Sequence, residues 1–180
     1  MNWILLLSII FLSSCGEESD ENTITELEGT WTQSCSEGTQ TTLTFSGSSV
    51  ESSVISYSDE NCATESLRIQ SSASFVIGDA VSGVEGAKNI DFTTNSMTFT
   101  LKSADNLETY NSQSICGKSN WEVDVPQTVA ASECGLPEGP SLDIFKITSE
   151  NTLQFGNADD IEDLTTTRPT ALEEASYTKS

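Results

Sequence analysis

Apolar and polar residues alternate along much of this chain, and the alternation is clearest between residues 67 and 77. Every second position of this run belongs to one set, which is Leu67, Ile69, Ser71, Ala73, Phe75 and Ile77. Successive side chains of a β-strand point to opposite faces, so a period of two residues places this set on a single face. The run therefore predicts a long strand with one buried face.

Shorter segments with the same period lie on both sides of this run. Strands are predicted near residues 27–31 and at 41–45, 50–57, 90–92, 97–101, 121–125, 142–147, 153–155 and 175–179. Hairpin turns are expected at residues 94–95 and 149–151, and Pro126 ends the strand before it. No segment shows a sustained helical period. About eight to nine antiparallel strands with one apolar face indicate an all-β domain, either an up-and-down barrel or a β-sandwich.

The first residues have a different character. Residues 3–12 are apolar except for one serine, and the last of them, Leu12, is followed directly by Ser13, Ser14 and Cys15. A membrane-spanning helix needs about 20 apolar residues, so this run is too short to span and suits the core of a signal peptide. The sequence of a leucine, two small residues and a cysteine resembles the lipobox of bacterial lipoproteins. An ordinary signal-peptidase site with an incidental cysteine is the alternative.

The lipoprotein resemblance implies where the protein is located and how it is attached to a membrane. Residues 1–14 are then a signal peptide, Cys15 carries the lipid and fatty acid, and the protein is exported to the bacterial cell envelope. By the same resemblance, Gly16 after the cysteine implies the outer membrane. Residues 16–26 contain five acids and no base, which is typical of a flexible, solvated tether. The lipid-bearing tether thus covers residues 15–26, and one domain covers residues 27–180.

Four cysteines remain for the domain: Cys35, Cys62, Cys116 and Cys134. An even number in an exported chain favours disulfides, for which three connectivities are possible. We favour Cys35–Cys62 with Cys116–Cys134, because each pair closes a loop within one half of the chain. A four-cysteine zinc site is the competing interpretation, but no two cysteines have the close spacing that such sites use.

The charge and the residue types limit the chemistry. The formal net charge of -21 repels nucleic acid, so no nucleic-acid partner is expected. The chain has no histidine, which removes the commonest general base and metal ligand. The acidic pairs at residues 59–60 and 159–160 are interpreted as polar turn residues. We therefore expect no enzyme activity, no cofactor and no metal.

Gly29, Thr30 and Trp31 resemble the G-x-W motif of lipocalin-like families, and Leu27 extends the likeness to small lipocalin-like lipoproteins. The resemblance implies an eight-stranded barrel with Trp31 at its closed floor. It also implies an arginine packed across that tryptophan, for which Arg168 is the candidate. On this basis we expect the barrel, with the sandwich as the alternative.

Two functions remain open for such a domain. The first is a structural or interaction module of the envelope with a filled core. The second is a carrier of a small apolar ligand or lipid. Ser71 and Ala73 are small at the middle of a strand that also carries Phe75, which predicts a modest apolar cavity there. The competing expectation is that Phe92 or Phe99 fills this space.

Overall fold

The strands pair into one antiparallel sheet that closes on itself. The computed structural model describes residues 25–136, 139–149 and 151–180, and the bounds below refer to these. The strands are β1 (Gly29–Ser36), β2 (Thr39–Ser46), β3 (Ser49–Tyr57), β4 (Glu65–Ala80), β5 (Lys88–Leu101), β6 (Gln127–Val129), β7 (Ser141–Ser149), β8 (Thr152–Phe155) and β9 (Tyr177–Lys179). A short helix, α1 (Leu107–Ser112), and 3₁₀ turns at Ile115–Gly117 and Ala131–Cys134 complete the elements.

Closure depends on two pairings. The order around the sheet is β4-β3-β2-β1-β9-β8-β7-β5, and β5 pairs with β4 again, so eight strands form a ring. The first and last strands meet where Trp31 lies opposite Lys179. The expectation of an antiparallel up-and-down barrel is confirmed, and the alternative of a β-sandwich is wrong. Residues 25–180 contain this whole ring of pairings, so we expect that part of the chain to fold on its own.

β6 is the ninth strand and lies outside the ring. It pairs with residues 97–99 of β5, whereas β7 pairs with residues 88–92 of the same strand. The edge of β5 that faces away from β4 is therefore shared between β6 and β7. Because every pair of the named strands is antiparallel, no long crossover connection is needed to join parallel strands.

β5 runs without a break through residues 94–95, where the sequence predicts a hairpin turn. Ala73 of β4 lies opposite Thr94, and Ser72 lies opposite Ser96, so Asn95 is an extra residue in β5. Such a bulge shifts the alternation by one residue. The predicted hairpin is wrong because the shift in pattern between Phe92 and Met97 comes from this bulge and not from a turn.

Residues 121–125 also do not form their predicted strand. Val123 makes only an isolated bridge with Leu101, and Asp124 has a φ of 61°, which interrupts extended backbone. Trp121 is instead buried, and its indole N–H donates to the carbonyls of Ile115 and Lys118. Trp121 is thus a buried residue outside any strand, whereas Val125 is exposed, so the alternation of this segment does not reflect a strand with one buried face.

Two apolar cores form within the described residues. The first, called the lower core below, lies inside the barrel around Trp31. It consists of Leu27, Trp31, Phe45, Val50, Phe75, Ile90, Phe145 and Leu153. The second lies at the far end of the β4–β5 ribbon and consists of Met97, Phe99, Leu101, Cys116, Trp121 and Val129. Alternation along β4 puts both cores on the same face of that strand, so one long ribbon supports both.

The two predicted disulfides are present. Cys35 of β1 is bonded to Cys62 in the β3–β4 connection, and Cys116 is bonded to Cys134, joining the two 3₁₀ turns. The half-cystines are 27 and 18 residues apart in the sequence. Loops of this size stabilise the fold by about 3–4 kcal/mol each in the chain-entropy description. The second disulfide lies in a stretch of irregular backbone, which it holds against the second core.

The predicted signal peptide, the predicted lipidation site at Cys15 and residues 16–24 of the predicted tether lie outside the described residues. Glu26, the last residue assigned to the tether, already forms an ion pair with Lys88 of β5 at 2.7 Å. Among the residues that the structure describes, no helix has the length and apolar character needed to cross a membrane.

Candidate functional site

A row of aromatic rings crosses the middle of the barrel. Phe45 of β2 meets Phe75 edge-on at 5.3 Å between ring centroids, and Phe75 lies 6.4 Å from Phe92. The row continues to Phe155 at 6.1 Å from Phe92, and then to Tyr177 at 5.6 Å from Phe155. Edge-to-face rings at these distances pack favourably. The row separates the filled lower core from the space above it.

A cavity of about 360 Å³ lies above this row. Its apolar wall is formed by Leu43, Phe45, Val50, Ala73, Phe92, Phe155 and Ala158. Its polar wall is formed by Ser52, Ser71, Thr94, Asp143, Glu173 and Tyr177, and the backbone of Gly156 completes it. The cavity is thus mainly apolar, and its ionisable groups are concentrated on the side of β7, β9 and the loop between β8 and β9.

The structure places the predicted cavity residues as follows. Ser71 and Ala73 both line the cavity, whereas Phe75 lies in the aromatic row beneath it. Phe92 lines the cavity without filling it, and Phe99 packs against Trp121 in the second core, at 6.0 Å between rings. The space beside Ser71 and Ala73 therefore stays open, because Phe92 forms part of its wall and Phe99 packs in the second core.

Asp143 is the most unusual residue of the cavity wall. Its Oδ1 accepts hydrogen bonds from its own neighbour, the Ile144 N–H (2.7 Å), and from the Gly156 N–H (3.0 Å). Burial is the main cause that raises the pKa of Asp143 to about 6, in spite of these two hydrogen bonds, and the nearby Glu173 carboxylate makes a smaller contribution to that rise. Arg168 acts in the opposite direction. Asp143 is thus a carboxyl group that changes charge near neutral pH.

Sequence reasoning missed Asp143, although a signal was present. In the 142–147 run, Asp143 shares its face with Phe145 and Ile147, which belong to or pack against the lower core. An acid at an inward position of a strand is rare unless it has a partner or a function. The alternation therefore contained the information, but only the closed barrel shows that this face is the interior.

Glu173 and Tyr177 share this part of the wall. Burial raises the pKa of Glu173, and the Asp159 carboxylate adds to the effect. Burial also raises the pKa of Tyr177, with Glu173 and Asp143 contributing. Within the part of the chain that the structure describes, no hydrogen bond reaches Asp143 Oδ2, the Glu173 carboxylate or the Tyr177 hydroxyl. These groups are free to contact a ligand.

The loop between β8 and β9 holds Glu173 against the cavity. The Glu173 N–H donates to the Phe155 carbonyl (2.9 Å), and the Gln154 side-chain amide donates to the Glu173 carbonyl (2.8 Å). Gly156 forms an isolated bridge with Leu172. These contacts hold the backbone of the rim, so the fold places the Glu173 backbone beside the cavity.

The cation at the barrel floor is not the predicted one. Trp31 is fully buried, as expected for a floor residue, and its indole N–H donates to the Leu27 carbonyl (2.6 Å). Lys179 Nζ lies 5.1 Å from the centroid of the Trp31 ring. Because Lys179 lies opposite Trp31 in the β1–β9 pair, the register of that pair decides which cation covers the indole.

Arg168 has a different position. Its guanidinium donates to the carbonyls of Ile90 and Asp143 and forms an ion pair with Asp91 at 2.5 Å. It therefore bridges β5 and β7 from the loop between β8 and β9. The prediction that Arg168 packs across Trp31 is wrong, because Pro169 and its neighbours hold this loop against Gly156.

The other acidic candidates have structural partners or lie at the surface. Asp59 accepts hydrogen bonds from the backbone N–H groups of Asn61, Ala63 and Thr64, and these bonds lower its pKa. It therefore acts as a turn residue of the β3–β4 connection. Within the described ranges, no group of His, Cys, Asp and Glu is arranged to hold a metal ion.

The sequence matches none of the protein-family models and none of the curated proteins. The likeness of residues 27–31 to lipocalin-like lipoproteins therefore remains a resemblance. The chemistry of the barrel has to be inferred from the cavity itself.

Proposed function

We propose that this protein is an exported, lipid-anchored barrel that binds a small, mainly apolar ligand in the cavity above the aromatic row. The observation that supports the proposal is the cavity of about 360 Å³, which is open to solvent on one side and lined by residues of several barrel strands. A concave space of this kind, with an apolar wall and a few polar groups, is typical of a ligand site.

The size and lining of the cavity limit the ligand. Ligand sites commonly span about 300–1,000 Å³, so this cavity is near the small end of that range. The aromatic row forms the bottom with the rings of Phe45, Phe92 and Phe155. The free carboxylates and the Tyr177 hydroxyl are confined to one wall. The arrangement favours a compact ligand with an apolar body and one polar end.

Filling the cavity tests the proposal. In residues 25–180, Ala73→Phe places a ring where the wall is open, so we expect uptake of the fluorescent probe N-phenyl-1-naphthylamine to fall at least tenfold. Val76→Phe adds the same ring on the outer face of β4, where Val76 is 69% exposed, and should bind the probe like the unmodified protein. Circular dichroism verifies that both variants are folded.

Two outcomes would contradict the proposal. The first is an unmodified domain that takes up no probe, and the second is undiminished uptake by a folded Ala73→Phe variant. Either result favours the other function that the sequence suggests, a structural or interaction module of the cell envelope. A module of that kind also predicts that Ala73→Phe destabilises the domain through overpacking, by about 1–3 kcal/mol.

The anchor rests on the residues at positions 12–15 and is tested separately. Replacing Cys15 with Ser removes the thiol that the lipid would be attached to, so labelling with radioactive palmitate should be lost and the protein should leave the membrane fraction. Ser14→Ala keeps a small residue before the cysteine and should still be labelled. A Cys15→Ser protein that still carries label would show that the lipoprotein interpretation is wrong.

A further inference from the structure

We propose that the ligand of this cavity is an organic cation, with an apolar body and a protonated amine that binds between Asp143 and Glu173. The inference rests on the proposed ligand site and adds the chemical class of its ligand. Three observations carry it: the signs of the charges in the wall, the unused hydrogen-bonding capacity of the acids, and the way the fold holds the acids in place.

All the ionisable side chains in the cavity wall are acids. They are Asp143, Glu173 and Tyr177, and no lysine or arginine lines the cavity. The nearest arginine, Arg168, already binds Asp91 and two backbone carbonyls. Lys179 lies over the ring of Trp31. The negative charge of a largely desolvated carboxyl group such as Asp143 is costly without a cation beside it, and a ligand can supply that cation.

The acids also retain acceptors that face no protein donor. Asp143 uses only Oδ1 for its two backbone hydrogen bonds, and within the described ranges Oδ2 and the Glu173 carboxylate accept none. A primary ammonium has three N–H donors and no acceptor. The Asp143 carboxylate, the Glu173 carboxylate and the Tyr177 hydroxyl lie on one wall and provide an acceptor for each of these three donors. Hydrogen bonds between ionised groups are about twice as strong as neutral ones.

Hydrogen bonds hold the Asp143 carboxylate and the Glu173 backbone in place. The Asp143 carboxylate accepts from the Gly156 N–H, and the Glu173 N–H donates to the Phe155 carbonyl. The Asp143 side chain therefore loses little freedom on binding, which favours affinity. The net charge of -21 also raises the local concentration of cations around the domain. An anionic ligand, such as a fatty acid, meets repulsion from the same groups.

The affinity for a cation should change with pH in a direction that distinguishes a cation from other classes of ligand. The groups that face Asp143 are Glu173, Tyr177 and Arg168, and Asp159 acts on Glu173. The pKa of Asp143 is raised to about 6, so this group loses its charge as the pH falls through about 6. A cation binds the ionised form, hence its affinity rises with pH through this range. A carboxylic acid should behave in the opposite way, and a neutral alcohol should change little.

The test displaces N-phenyl-1-naphthylamine from residues 25–180 with octylamine, octanol and octanoate, which share one alkyl chain. At pH 7.5 we expect octylamine to bind at least tenfold more tightly than octanol, and octanoate to bind most weakly. At pH 5 the advantage of octylamine should shrink severalfold. Asp143→Asn and Glu173→Gln should each reduce octylamine binding towards that of octanol. Asp79→Asn, an exposed acid of β4, controls for the loss of one charge.

The outcomes separate this inference from the proposed function. Probe uptake with equal binding of octylamine and octanol overturns the cation inference and leaves the ligand site standing. Tighter binding of octanoate overturns it as well. No uptake of the probe by the unmodified domain overturns the ligand site itself. Because two acids are replaced separately, a variant that fails to fold does not prevent a decision.

Discussion

Replacing Trp31 with Ala should destabilise the domain by about 3–5 kcal/mol, the range found when a fully buried large aromatic is truncated. Trp31 has no exposed surface and packs with Leu27 and Phe45 in the lower core. Its removal leaves a cavity and also leaves the Leu27 carbonyl without the indole donor. Urea unfolding of residues 25–180, followed by circular dichroism, measures the loss.

Two further variants divide this effect into its parts. Trp31→Phe keeps much of the ring but removes the donor to Leu27, so we expect a loss of about 1–3 kcal/mol. Lys179→Met keeps the length of the side chain and removes the cation over the indole, with an expected loss of about 0.5–1 kcal/mol. A loss below about 1 kcal/mol for Trp31→Ala would show that the floor does not depend on this residue.

Gly156→Ala should have a comparably large effect for the opposite reason, which is excess volume. A Cβ at Gly156 would lie 2.5 Å from Pro169 Cβ and 2.6 Å from Asp143 Oδ1. Neither neighbour can withdraw easily, because Pro169 is fully buried and Asp143 is held by the Gly156 N–H itself. We expect a destabilisation of about 2–3 kcal/mol, measured by the same unfolding experiment. Probe uptake should fall as well.

Gly78→Ala is the matched control for this substitution. Gly78 also lies outside the left-handed region, and its added Cβ would approach Asn89 Cβ only to 3.1 Å. A strand residue with a side chain is favoured over glycine, which offsets part of the contact. We expect a change below about 1 kcal/mol. Equal effects of the two substitutions would contradict the idea that the space at Gly156 is required.

The alternation of residues predicted most strands, because burial of one face imposes a period of two. Where it was wrong, a local rule was overridden by a longer-range contact. The bulge at Asn95 changes the phase of β5 as a turn would, and only the pairing with β4 distinguishes the two. Trp121 has the pattern of a strand residue, but it is buried by α1 and the 3₁₀ turns. Single-sequence patterns do not contain those contacts.

The residues of the candidate site divide in the same way into those that the local sequence predicts and those that depend on strand pairing. Ser71 and Ala73 were identified because small residues in the middle of a strand leave space, which is a local property. Lys179 over Trp31 was missed because it depends on the register of the β1–β9 pair, which only the closed barrel defines. Asp143 was missed because its inward direction becomes evident only when β7 joins β5. Residues that act together across strands therefore need the topology before they can be recognised.

The pairing of β1 with β9 has a consequence for how the barrel is assembled. Trp31 and Lys179 are neighbours in the sheet but are separated by almost the whole domain in the sequence. The hairpins β1–β2, β2–β3 and β7–β8 join strands that are adjacent in the chain, so their loop-closure entropy is small. The ring closes only when the far strand arrives, and proteins dominated by such distant pairings fold slowly. Until then β1 and its neighbours expose unpaired edges, which are templates for aggregation. The chain is therefore most prone to aggregate between the synthesis of β1 and the pairing of β9 with it.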